Sequence, residues 1–342
     1  MSLQKSFLVA CLLGILMVTG WELYWRSRGV VPNIDDNREL WARQIKKLDH
    51  PDDSLTVFIG SSRILFDIQR QVWKTKTGKD PVMLAVQGGS PLPSLKFIVE
   101  ETDYRGLLVI GVTPGLFFFS TSETDWPLRR TKAKIDYYKD RTLAQRLNYS
   151  LSIPLQRSLA FYRDGDEEWS DDVDLKTLLE NCIEDERAGR RYPPFNNFED
   201  VQVDRNVQMS AKTTNDTAFA NTVIKAWGLD DEEPFPFDKP GVVGLVNQYA
   251  AKYTKEGGRI VLLRCPSKGK FREVENLGRP RKEFWDTLVG ATKLPAYHFE
   301  DYPGLQGLNL PELSHLSKED ANLFTARLID ILREDGHLNK RP

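Results

Sequence analysis

The fold is constrained most by a series of short, almost entirely apolar runs that alternate with stretches of helical periodicity. The runs are Leu55 to Ile59, Val82 to Val86 and Leu107 to Val112, and each leads into a turn that contains glycine. The segments Ile64 to Lys74 and Pro91 to Glu101 follow the first two runs with apolar residues at helical spacing. Strands without a polar face are typical of parallel sheets covered by helices on both sides. The sequence therefore predicts an α/β protein with a three-layer parallel sheet.

The same alternation returns in the last third of the chain. Arg259 to Leu263 and Ala296 to Phe299 are predicted strands. Predicted helices cover residues 242–253, 281–289 and 318–332. Ser317 is the predicted N-cap of the last helix, with Asp320 at its third position. The loop before this helix carries His315, and in a parallel sheet such a loop can lie at the carboxyl edge, where ligands bind in open α/β folds.

Residues 119–240 break the pattern and are interpreted as a mostly helical insertion or cap. Helical pieces are predicted at Leu143 to Leu147 and Val173 to Glu184, and the acidic runs at 164–172 and 230–238 are predicted to be solvated loops. The region is rich in aromatic residues, which either line a substrate cleft or form the core of the cap. They are Tyr137, Tyr138, Phe161, Tyr162, Trp169, Tyr192, Phe195 and Phe198.

The N-terminal segment from Ser6 to Tyr24 is apolar except for Glu22 and is long enough to span a bilayer as a helix. Aromatic and basic residues of the kind found at membrane interfaces accompany it, namely Trp21, Tyr24, Trp25, Arg26 and Arg28. An uncleaved signal-anchor with the body of the protein exported is favoured. Cleavage after Val18 to Gly20, a poor match to a cleavage site, stays open, and the even balance of lysine and arginine leaves the orientation open.

The chain of 342 residues is thus divided into residues 1–28 as a membrane anchor, 29–54 as a linker and amphipathic helix, 55–118 and 241–335 as two parts of one α/β domain, and 119–240 as the insertion. A charged fraction of 28% argues against wholesale disorder, and a net charge of -2 predicts no binding to nucleic acid. Four histidines without a cysteine motif predict no metal site, and no cofactor is predicted. Spacing leaves it open whether Cys182 and Cys265 form a disulfide.

Two distant segments carry residues suited to acyl transfer. Gly60-Ser61-Ser62 ends the first strand, and Glu312 lies three residues before His315. A serine hydroxyl attacks poorly unless a neighbouring base takes its proton and a third group orients that base. Together the two segments supply a nucleophile, a base and an orienting carboxylate.

The order of these residues resembles the SGNH (GDSL-type) hydrolase superfamily, whose blocks are a first-strand Gly-x-Ser, a second-strand glycine, a Gly-x-Asn and a late Asp-x-x-His. The matching positions here are Gly60 to Ser62, Gly88, Gly111 to Thr113 and Glu312 to His315. Two positions depart from the pattern, since Thr113 stands at the asparagine position and Glu312 at the aspartate position. The resemblance implies a flavodoxin-like three-layer fold.

The resemblance also implies roles for individual residues. Ser62 would be the nucleophile, with Ser61 as the fallback, His315 would be the base, and Glu312 would orient it. The oxyanion hole would combine the backbone N–H groups of Ser62 and Gly88 with the side chain of Thr113. The polar residues near the turn, Ser61, Arg63 and Gln87, are also candidates for substrate binding. For Arg63, pairing with an acidic neighbour is the favoured alternative.

The Gly-Ser-Ser-Arg sequence and the anchor make the chain similar to membrane-anchored members of that superfamily that acylate or deacylate cell-envelope polymers. The expected function is an extracytoplasmic serine esterase or O-acyltransferase, with an acyl-ester or carbohydrate substrate and envelope-assembly proteins as partners. The alternative is a catalytically silent relative that binds or scaffolds envelope polysaccharide. Sequence leaves open whether the acyl group goes to water or to an acceptor.

Overall fold

The computed structural model describes residues 2–50, 52–162, 195, 197–229 and 236–339. The strands are β1 (Thr56–Ile59), β2 (Val82–Met83), β3 (Leu107–Gly111), β4 (Glu199–Val201), β5 (Val207–Met209), β6 (Arg259–Arg264) and β7 (Ala296–His298). The first helices are α1 (Leu3–Ser27), α2 (Arg38–Ile45), α3 (Ser62–Asp67), α4 (Arg70–Thr77), α5 (Leu92–Glu101), α6 (Pro114–Phe117), α7 (Trp126–Asp140) and α8 (Leu143–Ser158). The later helices are α9 (Ala211–Asn215), α10 (Thr217–Ala226), α11 (Lys239–Lys255), α12 (Gly269–Gly278), α13 (Arg281–Thr292) and α14 (Lys318–Glu334).

In the described part of the chain, the central element is a five-stranded parallel sheet with the order β2-β1-β3-β6-β7. The order is one of the common arrangements of doubly wound α/β sheets, and it confirms the predicted parallel α/β architecture. Strand β2 is shorter than predicted, but the N–H groups of Leu84 and Val86 still donate to carbonyl oxygens of Phe58 and Gly60, at 2.8 and 2.9 Å. The ladder between β1 and the β2 segment therefore reaches the residues that precede the predicted glycine block.

Alternate residues of the central strands face opposite sides of the sheet. Phe58 and Val109 belong to one buried apolar cluster, whereas Val57, Ile59 and Leu108 belong to another. The first cluster is completed by α3, α4 and α14, and the second by α2, α5, α7, α11 and α13. The helices on both faces of the sheet follow from strands that have no wet side.

The predicted helix from Ile64 to Lys74 is two helices, because the backbone becomes extended at Ile68 and Gln69. The side chain of Gln69 donates hydrogen bonds to the carbonyl oxygens of Phe66 and Val207, at 2.6 and 2.9 Å. A side-chain amide that bonds backbone groups can replace the hydrogen bonds of a continued helix. The spacing of apolar residues does not predict this break, because Gln69 is polar.

The described part of the region 119–240 contains four helices, α7 to α10, and the antiparallel hairpin of β4 and β5, which the sequence did not predict. Phe198, Val207 and Met209 of the hairpin segment belong to the same apolar cluster as Phe58 of the central sheet. The hairpin is thus packed directly on the α/β domain. The predicted helix from Val173 to Glu184 lies outside the described residues, as do Cys182, Trp169 and Tyr192.

Helix α1 is 25 residues long and has no buried residue. By length and composition it is the one described helix that could cross a membrane. A core helix of a soluble protein would be mostly buried, which α1 is not.

Candidate active site

Three of the predicted blocks meet at the carboxyl edge of the sheet. Ser61 and Ser62 follow β1, Gly88 follows the β2 segment, and Thr113 follows β3. The hydroxyl oxygens of Ser61 and Thr113 are 2.6 Å apart and share a hydrogen bond. Because neighbouring parallel strands end at the same edge, positions that are distant in sequence form one surface here.

Ser62 is the one partly exposed residue between Thr56 and Arg70, since every other residue in that range is buried. It is the first residue of α3, and Ser61 is the N-cap. The hydroxyl of Ser61 makes no capping hydrogen bond, because it faces Thr113. Of the two candidate nucleophiles, Ser62 is therefore the one that a substrate in solvent can reach.

The turn between β1 and α3 requires glycine at its start. A Cβ atom on Gly60 would lie 2.5 Å from Cγ1 of Ile64, which packs across the turn. The small residue lets α3 approach the strand end closely and brings Ser62 to the edge of the sheet.

His315 and Glu312 form a buried pair. The Nδ1 atom of His315 is 2.9 Å from Oε1 of Glu312, and the same carboxylate oxygen accepts the backbone N–H of His315 at 2.6 Å. A carboxylate can only accept, so Nδ1 carries the proton and Nε2 is left as the basic nitrogen. Leu313 between them has a φ of 75°, a left-handed conformation that is costly for a branched side chain and typical of functional loops.

The Nε2 atom of His315 is buried and has no hydrogen-bond partner among the described residues. The imidazole is enclosed by the rings of Phe66, Trp227 and Phe198, with centroid distances of 4.6, 5.7 and 5.8 Å. Phe66 lies one helical turn after Ser62, so Ser62 shares the face of α3 that the imidazole covers. The two side chains lie on the same side of α3 without a hydrogen bond between Ser62 and Nε2.

The His315 loop is also joined to the start of α3 by Arg63. Its Nε atom donates to the hydroxyl of Ser314 at 3.2 Å, and its Nη1 atom pairs with Glu275 at 2.8 Å. Burial opposes ionisation of Glu275, but the guanidinium groups of Arg264 and Arg63 outweigh it and lower the pKa of Glu275 to about 2. Arg63 therefore has the acidic partner that sequence reasoning favoured over an anionic substrate.

The remaining predicted residues, Gln87 and Gly88, follow the β2 segment, next to β1 in the sheet. The side chain of Gln87 donates to Glu199 of β4 at 2.9 Å. Gly88 has a φ of 60°, and a Cβ atom there would lie 2.9 Å from Nη1 of Arg130, so a side chain at this position would be strained and crowded. Gln87, Gly88 and Thr113 are all partly exposed, as Ser62 is.

Two residues that sequence reasoning missed hold the base and its carboxylate. The indole N–H of Trp227 donates to Oε2 of Glu312 at 2.6 Å. The buried carboxyl of Asp67 accepts the backbone N–H of Leu316 at 2.9 Å, directly after His315. The acid within the apolar stretch from Ile64 to Ile68 was a visible signal for Asp67, whereas no sequence pattern marks Trp227.

Within the described ranges, no group of three or more His, Cys, Asp or Glu side chains is arranged to hold a metal ion. The arrangement that the structure does present consists of an accessible serine, a buried imidazole with a free nitrogen, and a carboxylate that orients it. Neither a protein-family model nor a curated protein matches this chain.

Proposed function

We propose that this protein is a serine esterase or O-acyltransferase of the SGNH type, anchored in a membrane by α1. The observation that carries the proposal is the His315–Glu312 pair, which leaves Nε2 free on an imidazole that packs on Phe66 of α3. A buried polar atom without a partner is rare in native proteins and calls for an explanation. Proton transfer from a serine hydroxyl supplies one, since catalytic hydrogen bonds are often long until a substrate is bound.

In the proposed reaction the Oγ atom of Ser62 attacks the carbonyl carbon of an ester while its proton moves to Nε2 of His315. The charge of Glu312 stabilises the imidazolium, as in other triads. The oxyanion is bound by the N–H groups of Ser62 and Gly88 and by the hydroxyl of Thr113, which would donate to it while accepting from Ser61. The imidazolium then protonates the leaving alkoxide, and an acyl-enzyme on Ser62 remains.

The acyl group leaves in a second step that reverses the first. Nε2 of His315 takes a proton from water, which gives hydrolysis, or from an acceptor hydroxyl, which gives transfer. The similarity to anchored envelope enzymes favours an exported domain and an ester of a carbohydrate or envelope polymer. An apolar anchor would keep the site close to a substrate at the membrane surface.

A fluorophosphonate probe tests the nucleophile, because it forms a covalent bond only with an activated serine. The wild type should label, and both Ser62→Ala and His315→Gln should not. Ser61→Ala is the matched control: it changes the neighbouring hydroxyl and should retain labelling. Labelling of Ser62→Ala but not of Ser61→Ala would show that Ser61 is the nucleophile. A folded wild-type protein that is never labelled would refute the proposed enzymatic activity.

The second candidate function is a silent scaffold that binds envelope polysaccharide. It is favoured by Thr113 at the asparagine position, whose hydroxyl is already engaged with Ser61. Incubation with an activated acetyl ester and envelope glycans separates the possibilities. Acetylated glycan indicates transfer, free acetate alone indicates hydrolysis, and glycan binding without either indicates the scaffold.

A further inference from the structure

Helix α8 has an apolar side turned away from the protein. Its leucines recur every four residues, and all are exposed, with exposed fractions of 61% for Leu143, 54% for Leu147, 74% for Leu151 and 43% for Leu155. Successive leucines are one helical turn apart, so they form a stripe about 18 Å long on one side. We call these four residues the leucine stripe.

The side of α8 that faces the protein is mixed, since Tyr149 is buried in the apolar cluster that contains Phe58, and Ile153 packs against that cluster. Ser152 and Gln156 are buried, and the side chain of Gln156 accepts the backbone N–H of Asp35 at 3.1 Å and donates to the hydroxyl of Ser152 at 2.9 Å. A helix on the surface of a protein in water normally keeps its outer side polar, with its apolar side against the core. The additional apolar side on α8 indicates that the leucine stripe meets an apolar environment outside the chain.

The C-terminal end of α8 is attached to the last turns of α1. Nη2 of Arg26 donates to the carbonyl oxygen of Ser158 at 2.9 Å. The carboxylate of Glu22 accepts the backbone N–H groups of Ala160 and Phe161, at 3.0 and 3.2 Å. The contacts place the end of α8 beside the aromatic and basic end of α1, which is where a spanning helix leaves the bilayer.

The charge of this surface suits an anionic bilayer. From Arg141 to Tyr162 the sequence contains no acidic residue; Arg141 pairs with Glu39, which leaves Arg146 and Arg157 as the basic residues within α8. Amphipathic helices that lie in the interface combine an apolar side with basic residues that attract anionic lipid headgroups.

We propose that α8 is an interfacial helix whose leucine stripe lies in the surface of the same bilayer that α1 spans. The inference rests on the membrane anchoring proposed above, not on the catalytic proposal. Two attachments, one spanning and one lying flat, would fix the tilt of the α/β domain over the membrane. The bilayer surface is the occupant favoured over a protein because the C-terminal end of α8 is hydrogen-bonded to the end of the anchor.

The test places an environment-sensitive nitrobenzoxadiazole probe on single cysteines of the full-length chain. Leu151→Cys probes the leucine stripe, Leu12→Cys probes α1, and Leu277→Cys is the matched control, since Leu277 is 84% exposed on α12. Cys11 and Cys182 are replaced by serine in all three proteins. Each is reconstituted in nanodiscs that contain anionic phosphatidylglycerol, with and without doxyl-labelled lipid.

We expect the probe at position 151 to show a blue shift and a loss of emission with doxyl lipid, as at position 12, and the probe at 277 to show neither. Quenching at position 12 but not at 151 would overturn the interfacial helix and leave the anchor standing. No quenching at either position would overturn both. A blue shift at 151 that depends on protein concentration and not on doxyl lipid would assign the leucine stripe to a second copy of the chain and overturn the proposal.

Discussion

At the scale of single residues, the Nε2 atom of His315 lowers the stability of the fold, because it is buried without a hydrogen-bond partner among the described residues. A buried nitrogen without a partner costs about 1–3 kcal/mol. The rings of Phe66, Phe198 and Trp227 enclose the imidazole and keep it from turning toward a different partner. This cost is consistent with a nitrogen that is kept free to accept the proton of Ser62 when a substrate is bound.

The hydrogen bond from Trp227 to Glu312 can be removed while the aromatic wall is kept. In Trp227→Phe the carboxylate loses a charged hydrogen bond, which is worth about 1.5–3 kcal/mol. If Glu312 orients the base, we expect the second-order rate of fluorophosphonate labelling to fall by about tenfold or more.

The matched control is Trp285→Phe, which changes a buried tryptophan beside His298, away from the serine. It should leave the labelling rate unchanged. The circular dichroism of both variants shows whether they are folded. An unchanged rate in a folded Trp227→Phe protein would mean that the bond does not position the base.

At the scale of elements, α3 connects the candidate nucleophile to the loop of the base. Asp67, its last residue, accepts the N–H of Leu316 at 2.9 Å, and its carbonyl oxygen accepts the hydroxyl of Thr325 of α14 at 3.1 Å. The carboxyl of Asp67 also has a hydrogen-bond interaction with the buried thiol of Cys265. One short helix thus sets the distance between Ser62 and His315.

Asp67 predicts a specific dependence of stability on pH. Burial raises the pKa of Asp67 from 3.8 to about 8. Above pH 3.8 the unfolded chain loses a proton that the folded chain keeps, so the free energy of unfolding decreases as pH rises to about 8. The slope from this residue is at most about 1.4 kcal/mol per pH unit. Asp67→Asn keeps an oxygen for Leu316 and does not titrate, so its stability should be flatter over this range.

Urea unfolding in detergent micelles at several pH values measures this difference. Thr325→Val is the matched control, because it removes a hydrogen bond at the same junction without changing a titrating group. Its stability should lie below the wild type by the same amount at each pH. If the free energy of unfolding of Asp67→Asn and of the wild type changed with pH in parallel, Asp67 would not be protonated in the folded protein.

The elements that depend on local pattern were predictable, and those that depend on distant contacts were not. Ser317 caps α14 by accepting the N–H of Asp320 at 3.3 Å, as its local sequence predicted. The helix break at Gln69 depends on the carbonyl oxygen of Val207, which is 138 residues away. The positions of the serines and of the His315 loop could be predicted, because they follow from the order of the strands. The contact of Trp227 with Glu312 could not be predicted, because it depends on how the insertion packs on the domain.

At the scale of the whole molecule, the hairpin of β4 and β5 covers one edge of the central sheet. Arg205 lies in the turn of this hairpin. Its guanidinium group donates to the carbonyl oxygens of Met83 and Ala85 at 2.7 and 2.8 Å, along the outer edge of the β2 segment. It also forms a buried pair with Asp36, in the segment that joins α1 to α2. Unpaired strand edges are a liability, and here a side chain satisfies the edge.

The Arg205 contacts predict that the insertion and the α/β domain unfold together. Burial opposes ionisation of Asp36, but Arg205 and Lys134 lower its pKa, so Arg205→Met would leave an ionised carboxylate buried without its main partner. The expected loss is about 3–5 kcal/mol, and adding Asp36→Asn should recover part of it. Lys79→Met, which breaks an exposed pair with Asp52, should cost no more than about 1 kcal/mol. Urea unfolding should show one transition in every variant; an early transition confined to the insertion would show that it folds separately.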